Sequence, residues 1–146
     1  MENKVILTYY DFEGKIAEET LHIEELENEK YQIKNIPFFA PNIAYNDIIT
    51  VEKEDGRFYF EDVLEHSEHS TVQIVFFNEQ AIAKTIQDIE LLGCSWEGMH
   101  DQHILAVDVS ANVNYKKIKE YLDKQFDNKV LDYKEACLSE THLSNL

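Results

Sequence analysis

Apolar and polar positions alternate along the first part of the chain. After about Ser70 strand-like alternation is interleaved with helical spacing. Thr71 to Phe77 reads as a strand with Val72, Ile74 and Phe76 on one face. Asn78 is placed to cap a helix in which Ile82, Ile86, Ile89 and Leu92 form one stripe, and Gly93 to end it. Cys94 to Met99 and His103 to Val109 read as two strands joined by a short turn, the second with Leu105, Val107 and Val109 on a shared face. Another helix starts at Asn112 or Asn114, carries the stripe Tyr115, Ile118, Leu122 and Phe126, and stops at Asn128. Lys129 to Ala136 is a last strand. This order predicts a ferredoxin-like βαββαβ subdomain over residues 70–137, an antiparallel sheet with both helices on one face. Residues 138–146 read as a loose polar tail.

The part before Ser70 holds no helical stripe of more than about two turns. Strands are expected at Lys4 to Tyr10, Glu19 to Leu26, Lys30 to Asn35, Asp47 to Lys53 and Arg57 to His66. Glu24, Glu25 and Glu27 also fit a short helix. Asp55-Gly56 is a strong hairpin signal, because both turn positions need a positive φ. Five short strands predict a small antiparallel β-barrel-like subdomain over residues 1–69, so the fold class is α+β.

One segment resists both patterns. NIPFFAPNIAYND, Asn35 to Asp47, has the prolines and asparagines of a loop and the apolar content of a core. A crossing over an open barrel end would use those side chains as a plug. Along an extended path Phe38 and Phe39 point apart, so one can enter the core while the other packs elsewhere or meets a partner.

That segment also carries a resemblance. YQIKNIPFFAPNIAYNDIITVE and DGRFYFEDVLEHSEHSTVQIVF resemble the bacterial family of unknown function DUF4265. The matching features are Asn35-x-Pro37-Phe38-Phe39, the pair Asn46-Asp47 before a valine-bearing strand, and His69-Ser70-Thr71 entering a strand. Asn46 stands where the family has a smaller turn residue. The resemblance spans about Val5 to Tyr133 and implies no mechanism. Small proteins of this kind also bear a general likeness to the immunity proteins found beside bacterial toxins.

Charge changes the picture most. The chain has 29 acidic residues against 13 basic ones, a formal net charge of −16. Such a field repels nucleic-acid backbones and anionic membrane surfaces. It serves solubility, or it draws in a cationic protein partner. Up to Ser70 there are 17 acidic and 6 basic residues, a balance of −11; from Thr71 on the balance is −5. Glu24, Glu25 and Glu27 belong to one cluster, and Glu61, Asp62, Glu65 and Glu68 to another. No segment approaches the roughly 20 apolar residues of a membrane span. The N-terminus lacks a signal peptide's pattern, and Cys94 and Cys137 lack a CxxC spacing, which together point to the cytoplasm.

Catalytic signatures are scarce. His66/His69 and His100/His103 each have a His-x-x-His spacing that suits zinc only on a helix or turn. Neither Cys94 nor Cys137 has a nucleophile's local signature, and the four glycines are scattered rather than gathered into a phosphate loop. No metal, cofactor or catalytic residue is assigned. The sequence therefore predicts a non-enzymatic acidic binding protein, an immunity protein that neutralises a basic toxin and docks it through the two acidic clusters, Phe38 and Phe39. The alternative is a small-molecule-sensing regulatory module that acts through a ferredoxin-like homodimer.

Overall fold

The computed structural model describes residues 3–99 and 103–146. It is an α+β structure of two sheets, rich in strands and with few helices. The first sheet contains β1 (Asn3–Tyr10), β2 (Ile16–Glu25), β3 (Tyr31–Ile33), β4 (Ile48–Glu54) and β5 (Arg57–Glu65). Successive strands pair antiparallel, and the turn between β4 and β5 is tight. Glu54 pairs with Arg57, and Asp55 and Gly56 between them have φ of 52° and 78°. The expected antiparallel barrel needs correction at one seam. The last strand returns to the first through a parallel pair only two residues long, Val5 with Phe58 and Ile6 with Tyr59.

Inward positions on alternate residues form the first core: Val5, Leu7, Leu21, Ile23, Tyr31, Ile33 and Ile49. Ala40 and Ile43 join them from the segment between β3 and β4. The plug is therefore real, but neither Phe38 nor Phe39 is in it. β2 begins at Ile16 rather than Glu19, and Glu19 itself is only 9% exposed.

The second sheet contains β6 (Ser70–Phe76), β7 (Ser95–Met99), β8 (Ile104–Val109) and β9 (Leu131–Cys137), in the order β7-β8-β6-β9 with every pair antiparallel. Helix α1 (Ile82–Leu91) lies between β6 and β7, and α2 (Tyr115–Asp127) between β8 and β9. Ile89 of α1 and Ile118 and Leu122 of α2 pack on Val72, Ile74, Phe76, Leu105, Val107 and Val109, so one face of the sheet carries the second core. Asn78 caps a 3-10 turn, Glu79–Ala81, and α1 starts three residues later than its cap signal implied. Asn114 caps α2 through Lys116 N–H. Gly93 has φ 96° after α1; after α2 the left-handed residue is Lys129 rather than Asn128.

The tail is not loose. Ser139 caps a short helix, α3 (Glu140–Leu143), and His142 is fully buried. Its Nε2 lies 2.9 Å from the Ser110 carbonyl, which can only accept, so Nε2 carries the proton. Nδ1 then accepts from Ser70 Oγ at 2.5 Å. Asn145 Oδ1 accepts from Tyr115 N–H at the start of α2, 2.9 Å away. A polar tail docks because its polar atoms find buried partners, which no apolar pattern announces. No helix among the described residues is long and apolar enough to cross a membrane.

Candidate functional site

The second sheet has a face without helices, and the segment from Asn35 to Asp47 covers part of it. Ile36 N–H donates to Glu97 Oε2 at 2.6 Å and Asn35 Nδ2 to Glu97 Oε1 at 3.2 Å, which fastens the segment to β7. Gln73 Nε2 donates to the Pro37 carbonyl and Thr71 Oγ1 to the Ile43 carbonyl, each at 3.2 Å, along β6. Asn42 N–H donates to the Ala136 carbonyl at 2.8 Å, on β9. Ile36, Ala40, Ile43 and Ala44 are buried as a result. Ala40 and Ile43 of this irregular stretch belong to the first core, while its polar contacts tie it to the second sheet.

Two carboxylates hold the path. Glu19 accepts three backbone N–H groups, from Phe38 at 2.7 Å, Phe39 at 3.0 Å and Ala40 at 2.9 Å. Asp47, 1% exposed, accepts from Ala44 N–H at 2.9 Å and Ser67 N–H at 2.8 Å. Asn46 has φ 69°, a conformation Asn tolerates better than most residues. Beside them His69 Nδ1 lies 2.8 Å from Asp108 Oδ1. The Asp108 hydrogen bond raises the His69 pKa above its ordinary 6.5, against the opposing effect of burial.

The covering stops short of one end of the sheet. There Val75 and Phe77 stay 48% and 59% exposed. Facing them are the end of β1 and the turn after it, with Tyr10 at 74% and Phe12 at 97% exposure. Phe38 and Phe39 form the wall between, Phe39 stacked on Tyr9 with ring centroids 5.6 Å apart. The result is a groove of about 750 Å³ between the two sheets, with Asp11, Asp132 and Lys134 as its charged groups. Burial raises the Tyr9 pKa, and Glu19 and Asp11 add to it, so the phenol stays protonated at neutral pH.

The predicted acidic residues divide. Glu25 from the end of β2, Glu27 from the turn after it and Glu65 from the end of β5 line one shallow hollow of about 710 Å³, with Ile48 and Lys30. Folding thus joins two clusters that are far apart in sequence. Glu24 points elsewhere, 3.9 Å from Lys34 Nζ. Glu61 accepts from Thr50 Oγ1 at 2.9 Å and Asp62 from Val63 N–H at 2.9 Å, both on the exposed flank of β5. Glu68 is withdrawn: its carboxylate accepts from Thr141 N–H at 3.1 Å and Thr141 Oγ1 at 2.8 Å, and these bonds lower its pKa. It anchors α3 through Thr141.

Nucleophile chemistry finds little support. Ser70 and His142 form a serine–histidine contact, but both are 0% exposed. Burial pushes the Cys94 thiol up to about 12 and the Cys137 thiol up to about 11. His103 pairs with Glu79 at 3.1 Å, His66 is exposed, and His100 lies outside the described residues. No group of three or more metal-ligating side chains gathers among the described residues.

Reasoning from sequence missed Glu19, Asp47 and Glu97 as structural carboxylates, and the aromatic run Tyr9-Tyr10-x-Phe12. The run did hold a signal. Consecutive aromatics at a strand end put apolar surface on both faces, and the inside of a small core takes only one.

Among curated proteins none matches the chain. The structure is similar to the crystal structure of a hypothetical protein from Neisseria gonorrhoeae, at 31% identity and a TM-score of 0.84, over 95% of this chain and 96% of that one. With its pattern matched over residues 19–133, the chain belongs to the family described as Domain of unknown function (DUF4265).

Proposed function

We propose that the chain is a non-enzymatic binding protein that captures and neutralises a basic protein partner, in the manner of an immunity protein facing a cationic toxin. One observation carries this reading. Glu25, Glu27 and Glu65 converge on an open hollow whose single basic residue is Lys30. They lie in the part of the chain with a balance of −11. Fields of this kind raise association rates by roughly 10–10³-fold and fade with salt. The sealed Ser70–His142 contact and the protonated cysteines favour binding over catalysis.

The architecture that fits is two subdomains, residues 1–69 and 70–137. The second is ferredoxin-like, a reading supported by its βαββαβ order and the strand order β7-β8-β6-β9. The cytoplasm is the compartment in which Cys94 and Cys137 stay reduced, and both thiols are free here.

The test is affinity capture from native cells with the wild-type chain and with a Glu25→Lys, Glu27→Lys, Glu65→Lys variant. A basic protein eluting with salt from the first and absent from the second is the expected result. Recovery of an acidic protein, or equal capture by both baits, sinks the reading. A second reading, the small-molecule-sensing regulatory module, is favoured by the volume of the aromatic groove. It predicts a homodimer and a ligand-dependent rise in melting temperature.

A further inference from the structure

The acidic hollow leaves the aromatic groove without a role. Large exposed apolar side chains elsewhere are scattered over strands, helices and the tail, as Ile16, Leu64, Leu91, Phe126 and Leu146 are. At the groove Tyr10, Phe12, Val75 and Phe77 line one hollow, Tyr10 and Phe12 from the first sheet and its turn, Val75 and Phe77 from β6 and the residue after it. A gathered patch marks an occupant, whereas scattered ones do not.

Two of the groove's three charged groups are carboxylates, Asp11 and Asp132, against the single cation of Lys134, so the balance favours a cationic group in the occupant. Asp11 Oδ1 accepts from Glu13 N–H and Lys15 N–H, each at 2.9 Å, so its carboxylate is fixed. Asp132 Oδ1 accepts from Tyr133 N–H at 2.8 Å. Among the described residues no hydrogen bond occupies Oδ2 of either, so each rim carboxylate is held by one oxygen and presents the other. Aromatic ring faces also attract ammonium and guanidinium groups. A second copy of the chain is the poorer candidate, because each copy brings a net charge of −16.

We propose that the groove receives a segment of the basic partner in which a large apolar side chain sits next to an arginine or lysine. This rests on the reading that the partner is basic, and it names a second contact with it. The apolar side chain packs between Phe12 and Phe77. The cationic one reaches Asp11 or Asp132 across the ring of Tyr10 or Phe38. Glu19 holds the backbone of Phe38 and Phe39 beforehand, so little ordering is left to binding.

A random peptide display library selected on the intact protein tests this. Recovered sequences place Leu, Ile, Phe or Trp beside Arg or Lys. A recovered peptide then loses affinity by about tenfold on a Phe12→Ala, Phe77→Ala variant, as hot-spot contacts do. It loses about threefold, and most of its salt dependence, on Asp11→Asn, Asp132→Asn. The Glu25→Lys, Glu27→Lys, Glu65→Lys variant binds it as the wild type does. Acidic or uncharged sequences overturn the proposal, as does undiminished binding to the Phe12/Phe77 variant. A dimer in sedimentation that Phe77→Asp breaks also overturns it, since a second copy then owns the groove. In any of these outcomes, salt-sensitive capture of a basic protein through Glu25, Glu27 and Glu65 leaves the acidic docking surface standing.

Discussion

The two sheets solve the problem of a second face differently. The first wraps its strands so that one face becomes an interior and the other meets water, and the outer face carries Glu24, Glu52 and Asp62. The second covers one face with α1 and α2 and leaves the other to a borrowed segment from the first sheet. Its bare end is where aromatic surface remains exposed. Charge therefore collects where a face is meant for water, and apolar exposure collects where a cover runs out. Each region suggests a partner contact of its own kind, one long-range and one close-range.

The sharpest way to break the comparison is at the tail, which closes the second sheet against α2. His142→Ala removes a fully buried ring and the hydrogen bonds it makes to Ser70 Oγ and the Ser110 carbonyl, while Ser70 Oγ keeps the Ser139 N–H. The expected loss is about 3 kcal/mol by urea unfolding. A loss under about 1 kcal/mol would mean that α3 is dispensable and the second sheet is complete without it.

Next comes the borrowed cover. Glu19→Ala frees three amides at once and is expected to cost about 2 kcal/mol. Amide exchange at Phe38, Phe39 and Ala40 should speed up before the rest of the molecule opens. Glu18→Ala, one residue away and exposed, serves as control and should change stability by less than about 0.5 kcal/mol. Equal effects from the two would show that the segment is held by its apolar contacts alone.

These positions also show what the chain pattern reveals and what it hides. The strands from Thr71 to Ala136 are legible because Val72, Ile74 and Phe76, and Leu105, Val107 and Val109, alternate cleanly over a core fed from one side. Asp55-Gly56 is legible because its turn demands residues of that type. Glu19 is not, since a carboxylate within EETLHIEE looks like its solvated neighbours until the amides of Phe38 to Ala40 arrive from about 20 residues away. The tail fails for the same reason: His142 is buried by polar partners. At the candidate site, composition exposes the acidic surplus, yet only the fold puts Glu65 beside Glu25 and ties Glu68 to Thr141. Phe38 and Phe39 are visible in the loop, whereas their neighbours Tyr9, Phe12 and Phe77 come from other elements.

The seam between the halves responds to pH through His69. Its pKa is raised in the folded protein, chiefly by the Asp108 hydrogen bond. The folded state thus binds the proton more tightly than the unfolded chain. The stabilisation is fully present below the ordinary 6.5 and is lost as pH rises through the folded-state value. His69→Gln should cost about 1 kcal/mol on the acid side and flatten that part of the stability profile. An unchanged slope between wild type and variant would place the pH dependence elsewhere.

The smallest effect on folding separates the two regions most cleanly. Glu25, Glu27 and Glu65 are exposed, and among the described residues none of their carboxylates holds a backbone amide in the manner of Glu19. Replacing all three by Lys should move stability by no more than about 0.5 kcal/mol, and upward if it moves at all, because it relieves repulsion among like charges. The same change should slow capture of a basic partner by roughly tenfold at low salt and by much less at high salt. Stopped-flow association at two ionic strengths, beside urea unfolding of the same variant, reads both. A large loss of stability would mean that these carboxylates build the first sheet, whereas a slowed association on an intact fold is what a docking surface produces.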